Sequence, residues 1–148
     1  MTDRDLMEAS AGSRLALIAE SFVRLTGRAL VPRGEDMWNM RRAVAAHGTE
    51  DAPLFFYGNA LALDLFALTA ERFVGMPSHE SAEPANRTER TAMLERLEHE
   101  NVVADYSGVR IAADGRRFRI ERAVVWNLLD PNGKRHGQAA TFAKWRPV

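Results

Sequence analysis

The last third of the chain constrains the fold more than any other stretch. From Asp105 to Trp145 the sequence reads D-Y-S-G-V-R-I, a turn, R-R-F-R-I-E-R-A-V-V-W-N-L-L, a second turn, and G-Q-A-A-T-F-A-K-W. The turns are Ala113-Asp114-Gly115 and Asp130-Pro131-Asn132-Gly133. Asp-Gly and Asn-Gly supply the positive φ angles that short hairpin loops need, so the stretch predicts three long strands in an antiparallel meander. A meander must bury one face, and the residues before it have to provide the cover.

Those residues read mainly as short helices. Ser13 opens a helix to about Leu25, in which Leu15, Ile18, Phe22 and Leu25 make one apolar stripe and Gly27 ends the run. Residues 1–12 are small and polar and predict a flexible tail. A second short helix is expected at Glu35–Arg42, carrying Met37, Trp38 and Met40. Short strands follow at Arg42–His47 and Leu54–Tyr57. Asn59 caps an apolar helix whose only charge, Asp64, is expected to be buried, and Thr69 caps a one-turn helix. Asn86 with Glu89 resembles a capping box at the head of an amphipathic helix to Glu100, with Met93, Leu94 and Leu97 inward. The class is α+β, divided into a tail (1–12), a helical cap (13–41) and a main domain (42–148).

Composition removes several chemistries. Without cysteine there is no disulfide, no thiolate nucleophile, no cysteinyl-flavin adduct and no cysteine zinc site. No apolar run reaches the roughly 20 residues of a membrane helix, and the start, M-T-D-R-D-L-M-E, lacks a secretion-signal pattern. The expectation is a cytoplasmic protein with no membrane partner. Net charge is zero, but residues 105–148 hold nine Lys/Arg against four Asp/Glu, and residues 1–104 eleven against sixteen. A basic sheet under acidic helices accounts for this, as does an acidic partner or a second copy. The neutral balance argues against nucleic acid.

The sequence carries no catalytic motif. The histidines at 47, 79, 99 and 136 are scattered, and no nucleophile elbow, phosphate loop or dinucleotide fingerprint is present. His47 near Glu50 and Asp51 reads as a hydrogen-bonded turn, not a metal site. Asp64 and Asp105 form a conceivable acid–base pair, but backbone capping suits them better. Neither metal nor cofactor is expected. Alternation puts Phe118, Ile120, Arg122, Val124 and Trp126 on one face of the middle strand. Arg122 is the one charge there, which means a bulge, an edge side chain, or an anchor for an anionic ligand. Gln138, Ala140 and Phe142 alternate with Ala139, Thr141 and Ala143; such small residues admit a closely packed helix or leave a cavity.

Two blocks carry a family resemblance. One is H-G-T-E-D-A-P-L-F-F-Y-G-N-A-L-A-L-D-L-F with F-V-G-M-P-S-H-E-S-A-E-P, within residues 47–84; the other is the meander, residues 105–145, with its W-N-L-L-D and G-Q-A-A-T-F pieces. Together they resemble the MEKHLA domain, a relative of PAS domains, over about residues 14–145. The segment A-V-A-A before His47 is less apolar than a usual first PAS strand. The resemblance implies a PAS-like five-stranded antiparallel sheet in the order 2-1-5-4-3, with helices on one face and an N-terminal helical cap. Similar domains end class III homeodomain-leucine-zipper transcription factors of plants, with a supposed sensory or dimerisation role.

On that basis the chain is expected to be a non-catalytic sensory or interaction domain. Its small ligand would sit between sheet and helices, touching Tyr57, Asn59, Tyr106, Arg122, Trp126 and Gln138. A homodimer would form through Leu15, Ile18, Phe22 and Leu25. Two alternatives stand beside this: a cone-shaped α+β enzyme with an acid–base pair in its pocket, and a partner-binding module with a filled core. A cavity of about 300 Å³ or more would favour a ligand.

Overall fold

The meander forms at the turns that the sequence marks. In the computed structural model, which describes all 148 residues, Gly115 (φ 88°) and Gly133 (φ 82°) take the left-handed conformation that the hairpins require. Asp114 and Asp130 accept backbone N–H groups within their own turns. The strands are β1 (Ala43–His47), β2 (Phe55–Gly58), β3 (Val102–Ile111), β4 (Arg117–Leu129), β5 (Arg135–Phe142) and β6 (Lys144–Pro147). All pair antiparallel in the order β2-β1-β5-β4-β3, and β6 continues beyond β5 along β4. This is the expected five-stranded order with one added strand.

Helices cover both faces. On one side lie α3 (Ala60–Phe66), α4 (Ala70–Phe73), a 3-10 turn (Ser78–Ser81) and α5 (Arg87–Glu100). On the other, α2 (Arg14–Thr26) crosses β4. Trp126 Nε1 donates to the Ile18 carbonyl (3.2 Å), and Phe22 meets the Trp126 ring edge-on at 4.9 Å. Ser21 Oγ both donates to the Leu129 carbonyl and accepts its N–H, at 3.0 Å each, so the helix is stitched to the end of β4.

Four local expectations are corrected. The supposed flexible tail is a helix, α1 (Asp3–Ala11). Thr2 and Asp5 cap each other's backbone N–H groups, Met7 and Ala11 are buried, and Ser10 Oγ donates to the Phe56 carbonyl (2.8 Å). No helix forms at 35–42: Asp36 accepts from Asn39 N and closes only a turn. Asn86 makes no capping hydrogen bond; it ends a 3-10 turn (Pro84–Asn86) that runs into α5. Asp64 is exposed rather than buried.

The stripe read as a dimer contact is an internal seam. Ile18 and Phe22 are sealed against β4, with Leu15 and Leu25 half-buried at its margins. A second copy could not use this surface without undocking α2.

The remaining correction sets the geometry of the site. β4 carries an extra residue against β3 at Arg122, which has φ 53° and is exposed. β3 carries a matching irregularity at Asp105, φ 57°. A bulge reverses the inward–outward alternation. Phe118 and Ile120 therefore share a face with Val125 and Asn127, while Val124, Trp126 and Leu128 turn to the α2 side.

Candidate functional site

A cavity of about 70 Å³ lies between the concave sheet face and the helices α3 and α5. Its apolar wall includes Phe55, Phe66, Met93, Ile120, Val125 and Phe142. Ala45 and Ala140 leave the space that larger residues would fill. The polar wall is His47, Ser78, Arg90, Tyr106, Arg110 and Gln138. Of the six ligand residues expected from the sequence, Tyr106 and Gln138 are here.

The other four lie elsewhere. Arg122 is exposed at its bulge, and Trp126 belongs to the α2 side. Tyr57 is buried near Arg4, Glu8 and Asp36, where burial pushes its phenol pKa upward; its hydroxyl has no protein partner. Asn59 is a structural latch. Its Oδ1 accepts from Val44 N (3.0 Å) and Ala62 N (3.2 Å), and its Nδ2 donates to the carbonyls of Met37 (2.9 Å) and Arg42 (2.7 Å). Those four bonds use its polar capacity.

One relay of hydrogen bonds runs along the polar wall. Arg90 Nη2 donates to Ser78 Oγ (2.6 Å). Ser78 Oγ lies 2.9 Å from His47 Nδ1, and His47 Nε2 lies 2.8 Å from Gln138 Oε1. Gln138 Nε2 donates to Asn127 Oδ1 (3.1 Å). Asn127 Nδ2 then donates to the Leu97 carbonyl (3.0 Å) and Asn101 Oδ1 (2.9 Å) at the end of α5. Arginine is only a donor, so Ser78 accepts from Arg90 and is free to give its own proton to His47 Nδ1. His47 is then neutral, with its proton on Nε2 facing Gln138 Oε1. Burial agrees: it lowers the His47 pKa to about 4, and Arg90 and Arg135 add in the same direction against the Gln138 hydrogen bond and Glu50. Both ring nitrogens are engaged, and no cluster of His, Asp and Glu suited to a metal occurs in the molecule.

Alternation on β3 brings Tyr106, Gly108 and Arg110 to the cavity face. Arg110 Nη2 donates to Tyr106 Oη (3.1 Å) and Nη1 to the Val109 carbonyl (3.0 Å). A Cβ at Gly108 would collide with Tyr106 Oη, so this contact exists because position 108 has no side chain. Arg90, His47, Ser78 and Arg110 were absent from the sequence reading of the site.

The family model for the MEKHLA domain matches residues 13–147. The chain belongs to the MEKHLA domain family. The match runs across the segments separated at residue 41 in the sequence reading, and this MEKHLA chain adds α1 outside it. Its fold is that of PAS domains. The PAS domain of a protein from Colwellia psychrerythraea superposes with a TM-score of 0.62 at 14% identity, covering 75% of this chain and 89% of that one. The LOV domain of a blue-light activated histidine kinase from Erythrobacter litoralis gives 0.60 at 12%, covering 74% and 98%. The LOV domain of the blue-light photoreceptor Aureochrome1 gives 0.58 at 12%, covering 69% and 74%. No curated protein matches the chain. No helix is long and apolar enough to cross a membrane.

A flavin does not fit this MEKHLA domain. The cavity is smaller than an isoalloxazine, and the chain has no cysteine to form a thiol adduct. The space falls short of the roughly 300 Å³ expected to favour a ligand, which counts against a drug-sized one and leaves room for at most a handful of heavy atoms.

Proposed function

We propose that this MEKHLA domain is a non-catalytic sensory and interaction domain. It takes a small molecule into the cavity beneath α5 and changes its association with a partner when the cavity is filled. The observation that carries this reading is the relay His47–Gln138–Asn127, which joins the cavity wall to the Leu97 carbonyl and Asn101 at the end of α5. A ligand that displaces Gln138 pulls on the last turn of that helix, so occupancy reaches the surface through hydrogen bonds. Absence of catalysis accords with the wall chemistry: His47 is neutral with both nitrogens engaged, and Asp64 and Asp105 are exposed.

Two measurements test the reading. Native mass spectrometry of the purified protein, followed by thermal melting against small metabolites of varied charge, should reveal a bound or stabilising molecule. Sedimentation velocity with and without that molecule should then show a change in assembly mass, homodimer included. A domain that carries nothing and melts at one temperature throughout overturns the ligand. A domain that binds without altering its assembly overturns the output by self-association.

A further inference from the structure

The cavity holds two guanidinium groups and no carboxylate. Arg110 is 8% exposed, and its partners are the Tyr106 hydroxyl and the Val109 carbonyl, both neutral. Arg90 is half-buried, and its hydrogen-bond partner is the Ser78 hydroxyl. The ion pairs of the molecule involve Arg4, Arg96, Arg116, Arg117, His136 and Arg146; neither cavity arginine is among them. Burial and the neighbouring Arg110 charge lower the Arg90 pKa to about 10, and Arg87 adds to the same repulsion. Buried charge is ordinarily paired, because an unpaired ion in a low-dielectric site is costly.

The arginines are also directed. Arg110 lies against Tyr106, with its Cζ 5.6 Å from the ring centroid, and Gly108 clears the space that lets them meet. Arg90 reaches the cavity from α5, on the turn before Met93 and Leu94. The opposite wall is apolar, through Phe55, Ile120, Val125 and Phe142. Guanidinium forks match the planar geometry of a carboxylate, which can receive two parallel N–H groups.

We propose that the cavity is a binding site for a short-chain monocarboxylate, its carboxylate held by Arg90 and Arg110 beside Ser78 and its alkyl end against the phenylalanine wall. This rests on the preceding reading that the cavity takes a small molecule, and it names the class. The anion supplies the missing countercharge, and the free volume of about 70 Å³ limits the tail to a few carbons. Nothing in the walls offers a second cationic pair for a dicarboxylate.

The test compares sodium propionate with propionamide, inorganic phosphate and sodium chloride, at equal ionic strength and pH 7.5, on the full chain. Propionate should raise the melting temperature, by about 5 °C or more at a hundredfold excess over its dissociation constant. Propionamide, phosphate and chloride should leave it within about 1 °C. Arg90→Met, at the half-buried edge, should weaken propionate at least about tenfold, the loss expected for a charge-assisted bond. Arg110→Met should do the same, and the Arg90 variant decides alone if Arg110→Met fails to fold. Equal responses to propionate and propionamide would sink the carboxylate and leave the small-molecule cavity standing. Phosphate matching propionate would show that the apolar wall has no part, and would sink the short-chain class. A propionate response unchanged in Arg90→Met overturns the site as drawn. No response to propionate overturns it as well, while the metabolite screen separately decides whether the cavity binds anything.

Discussion

The two faces of the central sheet do opposite things with the same strand. Toward α2, β4 presents Val124, Trp126 and Leu128. There the fully buried Trp126 ring meets Phe22, and its indole N–H is spent on the Ile18 carbonyl. Toward α5, β4 presents Val125 and Asn127 to a wall with a cavity, a continuous polar relay and two arginines without a countercharge. The boundary is the bulge at Arg122. One added residue lets a single strand hold the N-terminal helices with one face and shape a site with the other. Both faces bury apolar side chains, but the uncompensated charge lies on the hollow one.

The sharpest way to break this contrast is to truncate the filled face. Trp126→Ala should cost about 3–5 kcal/mol in urea unfolding, as core aromatic truncations do. A loss below about 1 kcal/mol would mean that α2 is not docked as described.

The hollow face should reveal itself through pH. His47 has a folded pKa near 4 against an ordinary 6.5. Between these values the unfolded chain binds a proton that the folded one refuses, so stability falls as pH drops from about 6.5 toward 4. The full effect is up to about 3 kcal/mol. Carboxylates titrate in the lower part of that window too, so the useful quantity is the difference between wild type and His47→Gln. The variant should lose less stability between pH 7 and pH 4.5; parallel curves would place His47 outside the buried relay.

Gln138→Leu is smaller. It strands the His47 N–H and Asn127 Oδ1 and should cost about 1–3 kcal/mol, a size typical of buried groups left without partners. Its melting response to a cavity ligand should change too, whereas a Val124→Ala variant on the other face should lose stability alone. Smallest is Arg122→Ala. The side chain is exposed and has no hydrogen bond or ion pair to lose, so the change should stay within about 0.5 kcal/mol with no effect on ligand response. A lost response would return Arg122 to the site from which its bulge removes it.

How much of this was legible depends on how local each signal is. The hairpins were readable because Asp-Gly and Asn-Gly dictate backbone conformation within four residues. Tyr106 and Gln138 line the cavity: Gln138 closes the unbroken register that runs from Val124–Thr141 to Asn127–Gln138, and the shift toward Leu129 begins only beyond that pair. Trp126 was misplaced because counting by twos fails across an unseen extra residue. The clue was Arg122 itself, a charge interrupting an apolar alternation. Arg110 stood two steps from Gly108 and four from Tyr106, on the same face by the same counting. Arg90 continued the inward stripe of Met93, Leu94 and Leu97 at helical spacing. Both were within reach of the periodicity argument. Ser78 was not, because its 3-10 turn is fixed by long-range bonds such as Ser78 N to the Pro53 carbonyl (2.8 Å). The helix at residues 3–11 carried its own sign in Thr2-Asp3-Arg4-Asp5, a capping box that the polar composition obscured.

The division between the faces can be read in one titration. Two-dimensional NMR of the nitrogen-labelled protein follows the side-chain amides of Asn127 and Gln138 and the indole N–H of Trp126 together as sodium propionate is added. The amides should move in a saturable manner while the Trp126 indole stays in place. Movement of the indole with silent amides, or no movement at all, would contradict the assignment of binding to the hollow face.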